Sequence, residues 1–176
     1  MKPKSRAFRP GLAGLEPRAL MSVAEIAPLV ASSVVIAGKI QSKYQAGLDA
    51  RAADAPLRVK LTGAGKVQGP VKMAGTLDFG GLRLPLAPDV TGTVRLSNAK
   101  GSITLALSGA GGSIVIPRSR VVLDATIVGG TGIYASLQGS GTATAVFAKS
   151  TLKAKTLTAP IAGNATFTLN LNATIG

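Results

Sequence analysis

The stretch Thr126-Ile127-Val128-Gly129-Gly130-Thr131-Gly132-Ile133-Tyr134-Ala135-Ser136-Leu137-Gln138-Gly139-Ser140-Gly141-Thr142 decides how this chain folds. An apolar run enters a glycine-dense turn, and a run of small residues leaves it. Two extended segments joined through glycine read as an antiparallel hairpin, because glycine adopts the turn angles that other residues resist. The reading places the turn itself at Gly129 to Gly132.

Outward from this hairpin the same period-two pattern repeats. Val121, Leu123, Ala125 and Ile127 stand opposite Arg120, Asp124 and Thr126. Val59 and Leu61 alternate with Arg58, Lys60 and Thr62; Val71, Met73, Leu77 and Phe79 with Lys72, Thr76 and Asp78. Val90, Val94 and Leu96 alternate with Thr91, Thr93 and Arg95, and Ile103, Leu105 and Leu107 with Ser102, Thr104 and Ser108. The last run sets Phe167, Leu169, Leu171, Ala173 and Ile175 against Thr166, Thr168, Asn170, Asn172 and Thr174. Alternation of this kind marks strands with one face buried.

Turn material separates the runs at Gly80-Gly81, Pro85 to Pro88, Asn98 to Gly101 and Gly109 to Gly112. Seven or eight strands are therefore expected between residues 56 and 176, with no helical periodicity. Closing such a meander removes exposed sheet edges. The expected fold is all-β, a closed antiparallel β-barrel of about eight strands, with a two-sheet β-sandwich as the alternative. The apolar face is rich in Ala and Gly, which allows an interior that large side chains do not fill.

Residues 1–38 differ from the rest and read as a targeting segment, helical or disordered. The start is basic and proline-broken, and Ile26 to Ala37 is a mostly apolar run. That run has the length of a signal-peptide core and is too short to span a membrane. Val35-Ile36-Ala37 offers small or apolar residues for cleavage, although Glu25 and Pro28 are poor residues for such a core. A short amphipathic helix packed on the barrel, or plain disorder, is the alternative. Residues 39–55, with Asp49 to Asp54, read as a polar linker, and 56–176 as the barrel domain.

Two resemblances can be stated on these residues. Leu15-Glu16-Pro17-Arg18-Ala19-Leu20-Met21 resembles the LEPR-xLL motif found near the N-terminus of exported or envelope proteins of certain bacteria, with Met21 where a second leucine is usual. It implies export to the periplasm, envelope or exterior; a cytoplasmic protein is the alternative. The hairpin around Gly129, Gly130, Thr131, Gly132 and Tyr134, with Gly139 to Thr144, resembles the glycine-rich hairpin of the allene oxide cyclase/dirigent superfamily. The likeness covers residues 120–148 in detail and 56–176 in architecture. It implies an eight-stranded barrel with a central cavity, used either by a cyclase or by a protein that steers a reactive intermediate. The plant cyclases rely on a cavity glutamate, and residues 56–176 contain none, so that constellation does not carry over.

The residue inventory limits the chemistry. The chain of 176 residues has no histidine and no cysteine. Ser-His-Asp, Cys-His and zinc-histidine mechanisms are excluded with them, as are disulfides. The acids number seven against 20 lysines and arginines, for a net charge of +13. In residues 56–176 twelve cations face only Asp78, Asp89 and Asp124. Parity directs Asp78 and Asp124 to solvent, where Lys72 or Arg120 would pair with them, and Asp89 reads as a turn residue. Gly63-Ala64-Gly65-Lys66-Val67 lacks the first glycine and the Ser/Thr of a phosphate loop. Tyr134 sits in the turn, where packing is the simpler role.

No catalytic residue, metal site or cofactor is expected. The primary expectation is a non-catalytic exported barrel, structural or binding a small apolar ligand inside. A cyclase- or isomerase-like enzyme using the cavity is one alternative. The other is a basic surface module for an anionic envelope component or nucleic acid. Nucleic acid is disfavoured by six aromatics and no tryptophan. Arg58, Lys60, Lys72, Arg95, Arg118 and Arg120 are expected to project outward.

Overall fold

A computed structural model describes residues 32–47, 57–80, 89–111, 119–148 and 161–176. Eight strands follow one another: β1 (Ser32–Gly47), β2 (Leu57–Val67), β3 (Pro70–Phe79), β4 (Asp89–Asn98), β5 (Gly101–Ala110), β6 (Arg120–Gly132), β7 (Leu137–Phe147) and β8 (Ile161–Ile175). Each pairs antiparallel with the next, and β8 pairs back onto β1 to close the barrel. The expected closed barrel is present, and the sandwich alternative is not.

The first strand corrects the domain reading. β1 begins at Ser32, inside the apolar run, and continues through Lys39 to Gly47, which had read as linker. Its inward positions are Ile36, Ile40, Ser42, Tyr44 and Ala46, all buried. Its outward positions include Val35, Lys39, Gln41, Lys43 and Gln45, all exposed. This strand pairs with β8 from Ser32–Ile175 to Ala46–Ile161 and with β2 from Gly38–Val67 to Gly47–Arg58. The barrel therefore starts some two dozen residues before position 56, and β2–β8 alone would leave both flanking edges open. Residues 1–31, with the Leu15 to Met21 motif and the first part of the apolar run, lie outside the described residues.

The barrel is filled from within. Val59, Leu77, Leu105, Leu123, Phe147, Phe167 and Leu171 have no accessible surface. No water-sized void can touch such side chains, and burying each contributes roughly 1.5–3 kcal/mol. Small inward residues sit where a neighbour's large side chain lies. Phe167 faces Ala145 on β7, and Tyr44 faces Gly163 on β8. Tyr44 packs edge-on against Phe147, with centroids 5.3 Å apart, and Phe79 meets the same ring at 6.0 Å. The Ala- and Gly-rich face thus accommodates rings rather than a cavity along these residues. Ile175, placed inside by parity, is 45% exposed because it ends the last strand at the barrel rim.

One end of the barrel carries the short connections. The β2–β3 turn consists of Gln68 and Gly69, both at positive φ, a region that two-residue hairpin turns favour. The side-chain amide of Gln68 donates to the Val35 carbonyl on β1. In the β4–β5 turn the Lys100 amide donates to Asn98 Oδ1 at 2.8 Å.

The glycine-rich segment differs from its expected place. Gly129 to Gly132 form the last part of β6, and the turn is Ile133 to Ser136. Pairing of β6 with β7 ends at Thr126–Ser140, whereas pairing with β5 continues to Gly101–Gly132. On that side Leu105 faces Ile127 and Thr104 faces Gly129, so Val128 is an inserted, unpaired residue. The bulge leaves Val128 58% exposed, and beyond it β6 continues beside β5 after its pairing with β7 has ended.

Candidate functional site

Tyr134 and its glycines build a closed corner. Asn98 Nδ2 donates to the Tyr134 hydroxyl at 2.8 Å, and the Ile133 amide donates to the Lys100 carbonyl at 3.2 Å. Thr131 Oγ1 accepts from the Ser102 amide at 3.0 Å and lies 2.9 Å from its hydroxyl. These bonds tie the β4–β5 and β6–β7 turns together. Tyr134 is partly buried and packs on the core. The segment is structural in its contacts.

The carboxylates do not converge. Asp78 accepts two hydrogen bonds from Arg58, at 2.8 and 3.2 Å, rather than pairing with Lys72. The two are register partners on β2 and β3, which spacing along the chain does not reveal. The bond to Asp78, then its charge, holds the Arg58 guanidinium still more firmly protonated than usual. Asp78 and Asp124 lie on the outer wall, three strands apart through Thr91 and Ser108. Asp89 begins β4, and its carbonyl accepts the Gly80 amide at 2.7 Å. Among the described residues no group of three or more acids could hold a metal.

Inside the barrel, Ser42 is the polar residue that sequence reasoning missed together with β1. Its hydroxyl donates to the Ala165 carbonyl at 3.0 Å, across to β8. Tyr44 stands two residues further along the same inward face, 2% exposed.

Charge is concentrated on the outer wall. Of the nine described lysines and arginines, seven lie on β1–β4: Lys39, Lys43, Arg58, Lys60, Lys66, Lys72 and Arg95. All seven are exposed. Register sorts them further. Arg58 shares its row with Asp78, whereas the other six occupy rows that hold no acid. Lys39 faces Lys66 directly, although like charges in opposed positions destabilise a sheet. Arg120, on β6, is exposed as expected, and Arg118 lies outside the described residues.

Two of these rows frame a depression in the wall. One runs Lys43–Thr62–Ala74–Arg95 and the next Gln41–Ala64–Lys72–Ser97, each step a register pair. The alanines give a low floor between long side chains, and the space above it measures about 670 Å³. Lys39 and Lys43 belong to this face only because β1 is a strand. The signal that locates them is the inward alternation of Ile36, Ile40 and Tyr44.

No helix of the described residues is long and apolar enough to cross a membrane. The strands carry lysine, threonine and asparagine outward at mid-length, opposite to the apolar belt of a membrane barrel. No protein family, curated protein or solved structure matches the chain.

Proposed function

We propose that this protein is a non-catalytic β-barrel that works from its outer wall, with the β1–β4 face binding an anionic polymer of the cell envelope or its surroundings. One observation carries the reading: six exposed cations occupy adjoining register rows of β1–β4 that, among the described residues, hold no acid. Holding like charges together costs stability, and a polyanion lying across them offsets that cost. The packed interior adds support, because the described inward residues leave little room for an apolar ligand or a substrate. Among the described residues the cavity-enzyme alternative has Ser42 and Tyr44 as inward polar groups, and the Ser42 hydroxyl is already committed to a backbone carbonyl.

Kinship with the allene oxide cyclase/dirigent superfamily belongs to this proposal, supported by eight antiparallel strands and the glycine-rich β6–β7 corner. Export belongs to it as well, supported by the Leu15 to Met21 motif. With β1 beginning at Ser32, processing that spares the barrel has to cut before that residue rather than at Ala37.

Binding to immobilised acidic polysaccharide at increasing salt tests the reading. The expected result is retention at low ionic strength that falls steeply as screening shortens the reach of exposed charges. Equal retention at low and moderate salt, or none at low salt, would refute it.

A further inference from the structure

Resting on that reading, we infer that the depression framed by Lys43, Lys72 and Arg95 is the primary subsite, and that it takes a linear acidic polysaccharide through its carboxylates. Lys43 and Arg95 stand three strands apart, roughly 14 Å along the wall at ordinary strand spacing. Between them Thr62 and Ala74 keep the surface low. The next row adds Lys72 over Ala64, about 7 Å along the strand direction. An extended chain crossing the strands would therefore meet cations on both sides of a floor with no bulky side chain. Lys39, Lys60 and Lys66 flank this floor without enclosing it.

The chemistry of the surface separates carbohydrate from nucleic acid. Single-stranded nucleic acid is held by stacking bases on aromatic rings as well as by charge. Tyr44, Phe79, Phe147 and Phe167 are all buried inside the barrel, and Tyr134 lies in the β6–β7 turn. Among the described residues the face offers no ring. Gln41, Thr62 and Ser97 supply amide and hydroxyl groups between the charges, which suits a chain rich in hydroxyls. Carboxylate is matched by Lys and Arg through charge-assisted hydrogen bonds.

The test uses the full chain and a fluorescent oligogalacturonate, with oligothymidylate of equal charge and neutral dextran as controls. One variant is Lys43→Gln/Lys72→Gln/Arg95→Gln. The other, Lys39→Gln/Lys60→Gln/Lys66→Gln, removes the same charge from the flanks. All six positions are exposed, and circular dichroism reports that the fold is retained. The groove variant should bind oligogalacturonate roughly tenfold more weakly and the flank variant within about threefold of the parent, since exposed charges act modestly beyond contact. Equal losses would overturn the groove and leave the surface function standing. Tighter binding of oligothymidylate would overturn the polysaccharide assignment. Parent binding no better than dextran would overturn this inference and the proposed function together.

Discussion

The ring of Tyr44 lies across the backbone of Gly163, its register partner on β8. A methyl group at position 163 would stand 2.7 Å from both Cε1 and the hydroxyl oxygen of that ring. The ring has nowhere to retreat, because Phe147 meets it edge-on at 5.3 Å and it is 2% exposed. Gly163→Ala should therefore destabilise the barrel by about 1–3 kcal/mol through overpacking. Gly163→Ala made together with Tyr44→Leu should lose less than the sum of the two single changes, as contacting sites do. Denaturant midpoints measure both, and a neutral Gly163→Ala would show that the ring lies elsewhere.

Two adjacent glycines of β6 should respond oppositely. A Cβ on Gly129 meets nothing within 4 Å, whereas one on Gly130 would stand 1.9 Å from the Tyr134 carbonyl oxygen. Gly129→Ala is expected within about 1 kcal/mol of the parent, on the stabilising side if the unfolded chain loses freedom. Gly130→Ala forces backbone to move and should cost more than about 2 kcal/mol. Thermal unfolding of the two variants side by side checks this, and equal melting temperatures would contradict the corner described at Tyr134.

Truncation locates the true start of the barrel. Removing residues 1–31 takes nothing from the described strands. Removing residues 1–37 deletes the six pairs from Ser32–Ile175 to Ala37–Asn170 and the buried Ile36. The shorter chain should unfold at markedly lower denaturant and aggregate through the exposed edge of β8. If the protein is processed in its host, intact mass should find Ser32 to Ala37 retained. A mature chain beginning at Gly38 with undiminished stability would count against β1 as described.

Most of the barrel was legible because solvent wets only its outer face, which writes apolar and polar residues alternately along each strand. In the described parts of the runs that alternation marked, from Arg58 to Ala173, parity placed nearly every named side chain on the correct side. β1 escaped because its inward face includes Gly38, Ser42 and Ala46, which carry little hydrophobic signal. The adjacent Val34, Val35 and Ile36 are apolar on both parities, with Val35 58% exposed, and so imitate a leader core. The glycine segment misled for another reason. The bulge at Val128 and the unequal pairing of β6 carry the strand past the residues that look most like a turn. The cationic groove was invisible because it depends on register. Ala74 facing Arg95 and Ala64 facing Lys72 follow from turn lengths, not from local pattern.

The barrel and its cationic face both depend on β1 closing the sheet between β2 and β8, and engineered cysteines test that most directly because the chain has none of its own. Ala37 and Asn170 are exposed register partners across the β1–β8 seam, and Thr142 and Asn170 are exposed partners on β7 and β8. Opposed residues in antiparallel strands lie about 4.5–5.5 Å apart at Cα, within the span a disulfide bridges. Ala37→Cys/Asn170→Cys and Thr142→Cys/Asn170→Cys should both form an intramolecular disulfide under mild oxidation. A β7–β8 pair that bridges while the β1–β8 pair stays reduced would contradict the closed barrel.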